Sequence, residues 1–248
     1  MDNTAATILS FILITFFYSI IRFVLAGSPS EKMFTIIYFV LILTIQYSIN
    51  SSKLQERCGN IPHGSAIYFT IIPWLFIFCL LYVCLIIFPG WKGPFSNTFG
   101  YAMASVAGVK SLLVDQILED ENILKKRNEK MLLDIRSDIY KSPELLINEI
   151  TPENFDQFWN KLQPLFRKTA DEHKTALNKI VMMKDIVADF VWFCLAGAFT
   201  ISVSFNNISN VECQQTASDM ENTHQEKINK SQNNEENKAN RKVYVQDE

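Results

Sequence analysis

The chain has 248 residues, a formal net charge of -3 and a hydrophobic fraction of 48%, so its bulk charge offers nothing to a nucleic-acid backbone. The hydrophobic fraction is ordinary, but Phe occurs 19 times and the apolar residues fall in blocks of about 20, the length that crosses a bilayer. Blocks without a polar face exclude a soluble bundle and leave an all-α, polytopic transmembrane protein as the fold class.

Residues 4–26, TAATILSFILITFFYSIIRFVLA, form the first block. Its only charge, Arg22, lies near the far end, where a long side chain can snorkel to the interface. The Met-Asp start supplies no basic leader and the apolar run is long for a signal peptide, so the block reads as an anchor, although VLAGS at 24–28 resembles a cleavage site. GSPSEK at 27–32 is a tight turn. The second block is MFTIIYFVLILTIQYSI, 33–49, followed by a short polar loop, 50–65. The third block, 66–88, contains Pro73. Residues 4–88 are therefore expected to be three transmembrane helices with short loops.

Residues 89–185 form the one segment large enough to be an extramembrane domain. SLLVDQILEDENILKKRNEKMLLDIRSDIY, 111–140, places Leu113, Ile117, Leu124, Met131, Ile135 and Ile139 on an apolar stripe at helical spacing, with Glu121 and Lys125 four apart. Ser142–Pro143 and Thr151–Pro152 are helix-start signals, and Pro164 should bend or end the helix that holds Phe155, Trp159, Leu162 and Phe166 on one face. That aromatic face either fills the domain core or lies on the membrane. A helix from about 169, with Ala176, Ile180 and Met183 inward, runs without a breaker into a fourth transmembrane helix at 186–205. Residues 206–248 are rich in Asn, Gln, Glu and Lys and read as a disordered polar tail.

Four spans place both termini on one side of the membrane and the domain on the other. Arg22, Lys32, Lys92, Lys179 and Lys184 flank the spans on the domain side, against Lys53 and Arg57 opposite, so the positive-inside rule assigns the domain to the cytoplasm. Cys58 and Cys213 then share the oxidising side and can form a disulfide, the plain alternative being two unrelated thiols. The N-x-S/T matches at Asn50, Asn207 and Asn229 lie on that side too, and Asn229 alone is far enough from the bilayer to be glycosylated. Asp189 can pair with Arg22 if spans one and four pack together.

Catalytic chemistry has no visible carrier. His63, His173 and His224 fall in a loop, a helix and the tail, no metal-ligand spacing or phosphate loop occurs, and the first three apolar blocks hold no Asp, Glu, Lys or His. No catalytic residue, metal or cofactor is expected, and the chain reads as non-enzymatic. His63 is the lone residue that would suit a lipid-modifying enzyme.

The boundary after the third span is unusually dense: FPGWKGPFSNTFGYAMASVAG, 88–108. Pro89 and Gly90 stop the span, and Trp91 and Lys92 suit the headgroup region. Gly93 and Pro94 suggest a second turn, which Ser96, Asn97 and Thr98 could close with side-chain hydrogen bonds. The rings of Phe95, Phe99 and Tyr101 would then form an ordered membrane-proximal cap together with Gly100.

This stretch, with the third span from about 66 to 115, resembles a signature of membrane proteins from large nucleocytoplasmic DNA viruses, the algal and giant viruses among them. The resemblance implies a virus-encoded multi-span protein in an internal virion membrane or host endomembrane, and implies no activity. The expected role is structural or scaffolding, with the bilayer and a protein bound at 89–185 as partners and no nucleic acid. A small channel or transporter is the alternative.

Overall fold

The computed structural model describes residues 3–59, 63–127, 129–211, 213, 221 and 224–232. Three long helices come first: α1 (Asn3–Leu25), α2 (Ser30–Cys58) and α3 (His63–Ile87). After a 3₁₀ turn, Pro89–Lys92, come α4 (93–106), α5 (109–117), α6 (Glu121–Lys126), α7 (Lys130–Lys141), α8 (Pro143–Glu149), α9 (Phe155–Leu162) and α10 (Asp171–Ser209). Among the described residues, α1, α2, α3 and α10 are the 4 helices long and apolar enough to cross a membrane. The protein is an all-α, multi-span integral membrane protein with a helical region between spans three and four.

Lipid offers no hydrogen-bond partners, so hydroxyls within the spans turn back on their own helices. Thr15 donates to Phe11 O (2.8 Å), Thr44 to Val40 O (2.8 Å), Thr70 to Ala66 O (2.8 Å) and Ser202 to Ala198 O (2.8 Å). Pro73, which lacks an N–H, does not interrupt α3. The helix widens into a π turn over Trp74–Cys79 immediately after it, a local change of pitch that absorbs the missing bond.

The spans pack around aromatic rings. Phe193 of α10 lies 5.6 Å from Phe78, 5.7 Å from Tyr82 and 6.3 Å from Tyr38, and Tyr18 stacks on Tyr38 at 4.0 Å. The phenols are satisfied across helices: Tyr38 Oη pairs with Thr15 and Tyr18 Oη with Thr35, each at 2.9 Å. At the end remote from the domain, Leu54, Cys58, Ala66 and Ile208 form a small separate core, where Cys58 and Cys213 are disulfide-bonded.

The domain has its own core of Val109, Leu113, Ile117, Leu124, Ile147, Phe155, Trp159 and Leu177, among others. The aromatic face of α9 belongs to it and not to a membrane surface: Phe155 and Trp159 are buried, and Trp159 Nε1 donates to Asp171 Oδ1 at 3.1 Å. Pro164 ends α9 in a 3₁₀ turn, Gln163–Leu165.

The helix expected across 111–140 is instead three pieces. Leu118 is extended and bridges Phe166, Glu119 N donates to Leu165 O (2.8 Å), and Arg167 N donates to Ile117 O (2.9 Å). Arg136 and Arg167 guanidinia take the carbonyls of Glu119 and Leu118, so a break that local spacing does not announce is fully bonded. Met131, assigned to the inner stripe, is 74% exposed as a consequence. Glu121 and Lys125 do pair, at 2.5 Å.

α10 is continuous from the domain through the bundle and reaches Ser209. Its inner face in the domain is Leu177, Val181 and Lys184, with the expected Ile180 packed against the same core, Met183 half-buried and Ala176 exposed. α2 likewise runs on to Cys58, so Asn50 lies inside a helix rather than in a loop. Of the tail, 224–232 is helical and exposed, Asn229 included, and the other residues expected to be disordered fall mainly outside the described ones.

Candidate functional site

The spans and the domain meet at a cluster of five ionised side chains from four places in the chain. Arg22 closes α1, Glu31 opens α2, Lys92 ends the turn after α3, and Asp185 and Asp189 lie one turn apart on α10. Arg22 Nη1 donates to Asp189 Oδ2 at 2.5 Å and its Nε to Glu31 Oε1 at 3.1 Å. Lys92 Nζ reaches both oxygens of Asp185, at 2.9 and 2.8 Å, and Asp189 Oδ1 at 2.9 Å. Asp189 thus holds two cations, one on each carboxylate oxygen. The structure brings Arg22 and Asp189 together and adds Lys92, which interfacial snorkelling alone had accounted for.

Withdrawal from water penalises a charge, so burial alone would lower the Lys92 pKa. The Asp189 and Asp185 carboxylates outweigh burial and hold it above the usual lysine range. A raised lysine stabilises the fold fully below its unfolded pKa, about 10.4, and the contribution is lost only as pH rises through the folded value. The Lys92→Ala cost in unfolding midpoint is therefore expected to be the same at pH 7 and pH 9. A cost that halves over that interval would contradict the pairing.

The 89–101 stretch is built onto this cluster, but as a helix. Gly93 has helical φ and ψ of -49° and -50°, and Pro94 sits in the first turn of α4, where a missing N–H costs nothing. The expected second turn is absent. Asn97 is exposed and makes no side-chain hydrogen bond among the described residues, and Thr98 Oγ1 bonds back to Pro94 O at 2.6 Å as on any helix. Phe88 stacks on Trp91 at 5.5 Å, while Trp91 and Phe95 approach Trp192 of α10 at 6.2 and 5.8 Å. Tyr101 packs against the domain core.

Ser96, Gly100 and Ala104, each four residues apart, are the buried edge of α4. A Cβ at Gly100 would lie 2.5 Å from the Lys184 carbonyl oxygen and 2.7 Å from Lys184 Cγ, so the glycine allows α4 to lie directly on α10. Lys184 is itself buried, and its ammonium donates to Ile147 O at the end of α8, 2.7 Å away. One residue therefore sets the seat for α4 and ties α10 to the domain. The spacing of small residues was the available signal. Nothing in KIVMMKD marks Lys184 as buried.

A second feature lies in the half of the bundle away from the domain. Gln46, Asn50 and Ser51 of α2, Thr70 and Trp74 of α3, and Thr200 and Ser204 of α10 are all buried. Asn50 Nδ2 donates to Thr70 Oγ1 at 2.9 Å. Gln46 Oε1, Asn50 Oδ1, Ser51 Oγ, Trp74 Nε1 and Ser204 Oγ have no partner among the described residues. Uncharged and placed partly in the segment assigned to a loop, this layer gave no sign in the sequence.

Near the far end, His63 Nδ1 pairs with Tyr47 Oη at 3.0 Å. Among the described residues, no group of three or more His, Cys, Asp or Glu is arranged to hold a metal ion. The Cys58–Cys213 bond joins α2 to the residues beyond α10 across 155 positions. Cys58→Ser is expected to change mobility on non-reducing electrophoresis and to lower stability by about 2–4 kcal/mol. Unchanged mobility would rule the bond out. Comparison with protein-family models, with curated proteins and with solved structures yields no match to this chain.

Proposed function

We propose that this chain is a non-enzymatic structural or scaffolding protein of a membrane, holding a protein partner through its 89–185 region. The observation that carries the reading is the outer face of α4. Its inner edge is clamped to α10, yet Phe99, Met103 and Val106, spaced four and three apart, are 56%, 46% and 84% exposed. A firmly mounted helix with an uncovered apolar stripe suits a groove on another protein. The motif resemblance supports a virion or virus-modified membrane as the setting.

Co-purification in mild detergent tests the reading, with Phe99→Glu and Met103→Glu beside the native chain. A stoichiometric partner lost from both variants, with their helical spectra unchanged, is the expected result. A partner equally retained by the variants would place the interface elsewhere and remove the support from α4.

The buried polar layer favours a second reading, a small channel or transporter. Unpaired polar atoms inside a bundle cost about 1–3 kcal/mol each unless something meets them, and water or a solute passing between the helices would do so. Solute flux into liposomes that falls in Gln46→Leu and Asn50→Leu is the result this reading requires.

A further inference from the structure

At the membrane face opposite the domain, a cavity of about 450 Å³ is lined by Thr4 of α1, Lys53, Glu56 and Arg57 of α2, and Phe205, Ile208 and Ser209 of α10. It is an open, mostly polar depression. Its depth in the membrane follows from the spans. Thr4 precedes the apolar run of α1, Phe205 and Ser209 end that of α10, and Arg57 adjoins the disulfide, so the cavity opens among the lipid headgroups.

The lining is rich in donors and poor in acceptors. The Lys53 side chain is only 20% exposed and lies over the Phe205 ring, its nitrogen 5.7 Å from the centroid. Its nearest carboxylate, Glu56, is 3.7 Å away and 69% exposed, beyond hydrogen-bond reach. Neither Lys53 nor Arg57 makes a side-chain hydrogen bond among the described residues. The half-buried Lys53 ammonium, whose loose ion pair with Glu56 leaves its hydrogen-bond donors open, lies one helical turn from the exposed Arg57 guanidinium, and the two together attract an oxyanion. Thr4 and Ser209 add hydroxyls. A neighbouring cavity shares Glu56 and brings Lys227 and Lys230, with Glu226, from the 224–232 helix. Together the two cavities hold four cations against two carboxylates.

We infer that this cavity is a binding site for a phosphate group, held by Lys53 and Arg57. A tetrahedral phosphate presents enough acceptor oxygens for a guanidinium fork and an ammonium at once. At headgroup depth its direct source is a phospholipid, whose chains would run down the apolar outer surface of the helices. Soluble phosphate carries the same chemistry. The inference does not depend on whether the domain binds a protein.

The test uses the full chain in nanodiscs of phosphatidylcholine alone or doped with phosphatidylglycerol, read by native mass spectrometry after release into neutral detergent. Bound phospholipid is expected on the native chain, with retention about tenfold lower in the Lys53→Ala, Arg57→Ala double variant. The charge-preserving Arg57→Lys should keep most of it. Non-reducing mobility confirms that each variant retains the Cys58–Cys213 bond. Displacement of the lipid by millimolar inorganic phosphate would support a site open to soluble phosphate, and resistance to it would support a lipid site. Equal retention by the native chain and the double variant overturns the inference, as does a native chain that binds neither lipid nor phosphate.

Discussion

Asp189→Ala is expected to lower the stability of the protein in mild detergent by about 3–5 kcal/mol, the largest effect of any single substitution considered. The cause is the arrangement around that carboxylate. Arg22 and Lys92, whose side chains are 21% and 18% exposed, both lose it at once, and neither can return to water without moving a helix end. Asp185 remains for Lys92 and Glu31 for Arg22, so the loss should be graded. Arg22→Ala and Lys92→Ala should each cost less than Asp189→Ala, and the Arg22→Ala, Asp189→Ala pair should cost less than the sum. Lys125→Ala, at a fully exposed ion pair screened by solvent, is the control and should leave the midpoint almost unchanged. An Asp189→Ala midpoint no lower than that of the control would show that the cluster does not join the domain to the spans.

The second large effect is expected at Gly100. An alanine there must push the Lys184 backbone away from α4, and overpacking of this kind costs about 1–3 kcal/mol or more. Leucine should separate α4 from α10 and free Lys184 from Ile147. Gly93, in the same helix, has nothing within 4 Å of the position a Cβ would take, so Gly93→Ala should be harmless. Thermal unfolding followed by tryptophan fluorescence distinguishes the two, because Trp91 and Trp192 flank the contact. Equal midpoints for Gly93→Ala and Gly100→Ala would mean that α4 is not seated on α10. A matching test inside the bundle is Gly197, where a Cβ would collide with the buried Phe11 ring.

The spans were legible because hydrophobic length is a property of contiguous residues. Topology put Arg22 and Asp189 at the same membrane boundary, where they could pair if spans one and four packed together or each be solvated at the interface, and the contact of α1 with α10 selects the pair. Lys92 was not legible as their third member, because a lysine after a span is equally well explained by headgroup contact. The seating of α4 was hidden for another reason. Gly93 and Pro94 carry strong turn propensity, yet Pro94 falls where a helix tolerates proline, and the helix won because Ser96, Gly100 and Ala104 gain contact along α10. Asn50 and Lys184 were misplaced or overlooked because burial of a polar side chain depends on partners 20 and 37 residues away, Thr70 and Ile147, which no local pattern specifies.

The Cys58–Cys213 bond closes the chain into a covalent ring that contains α3, the entire domain and α10. The ring passes through the bilayer twice, with its seam on the side away from the domain. A protease cutting within the domain would open the ring without releasing a fragment, since both ends of the nick remain joined through the seam. Only a reductant on the opposite face of the membrane could then part the first three spans from the fourth. Cleavage and dissolution of this protein are thus controlled from two different compartments.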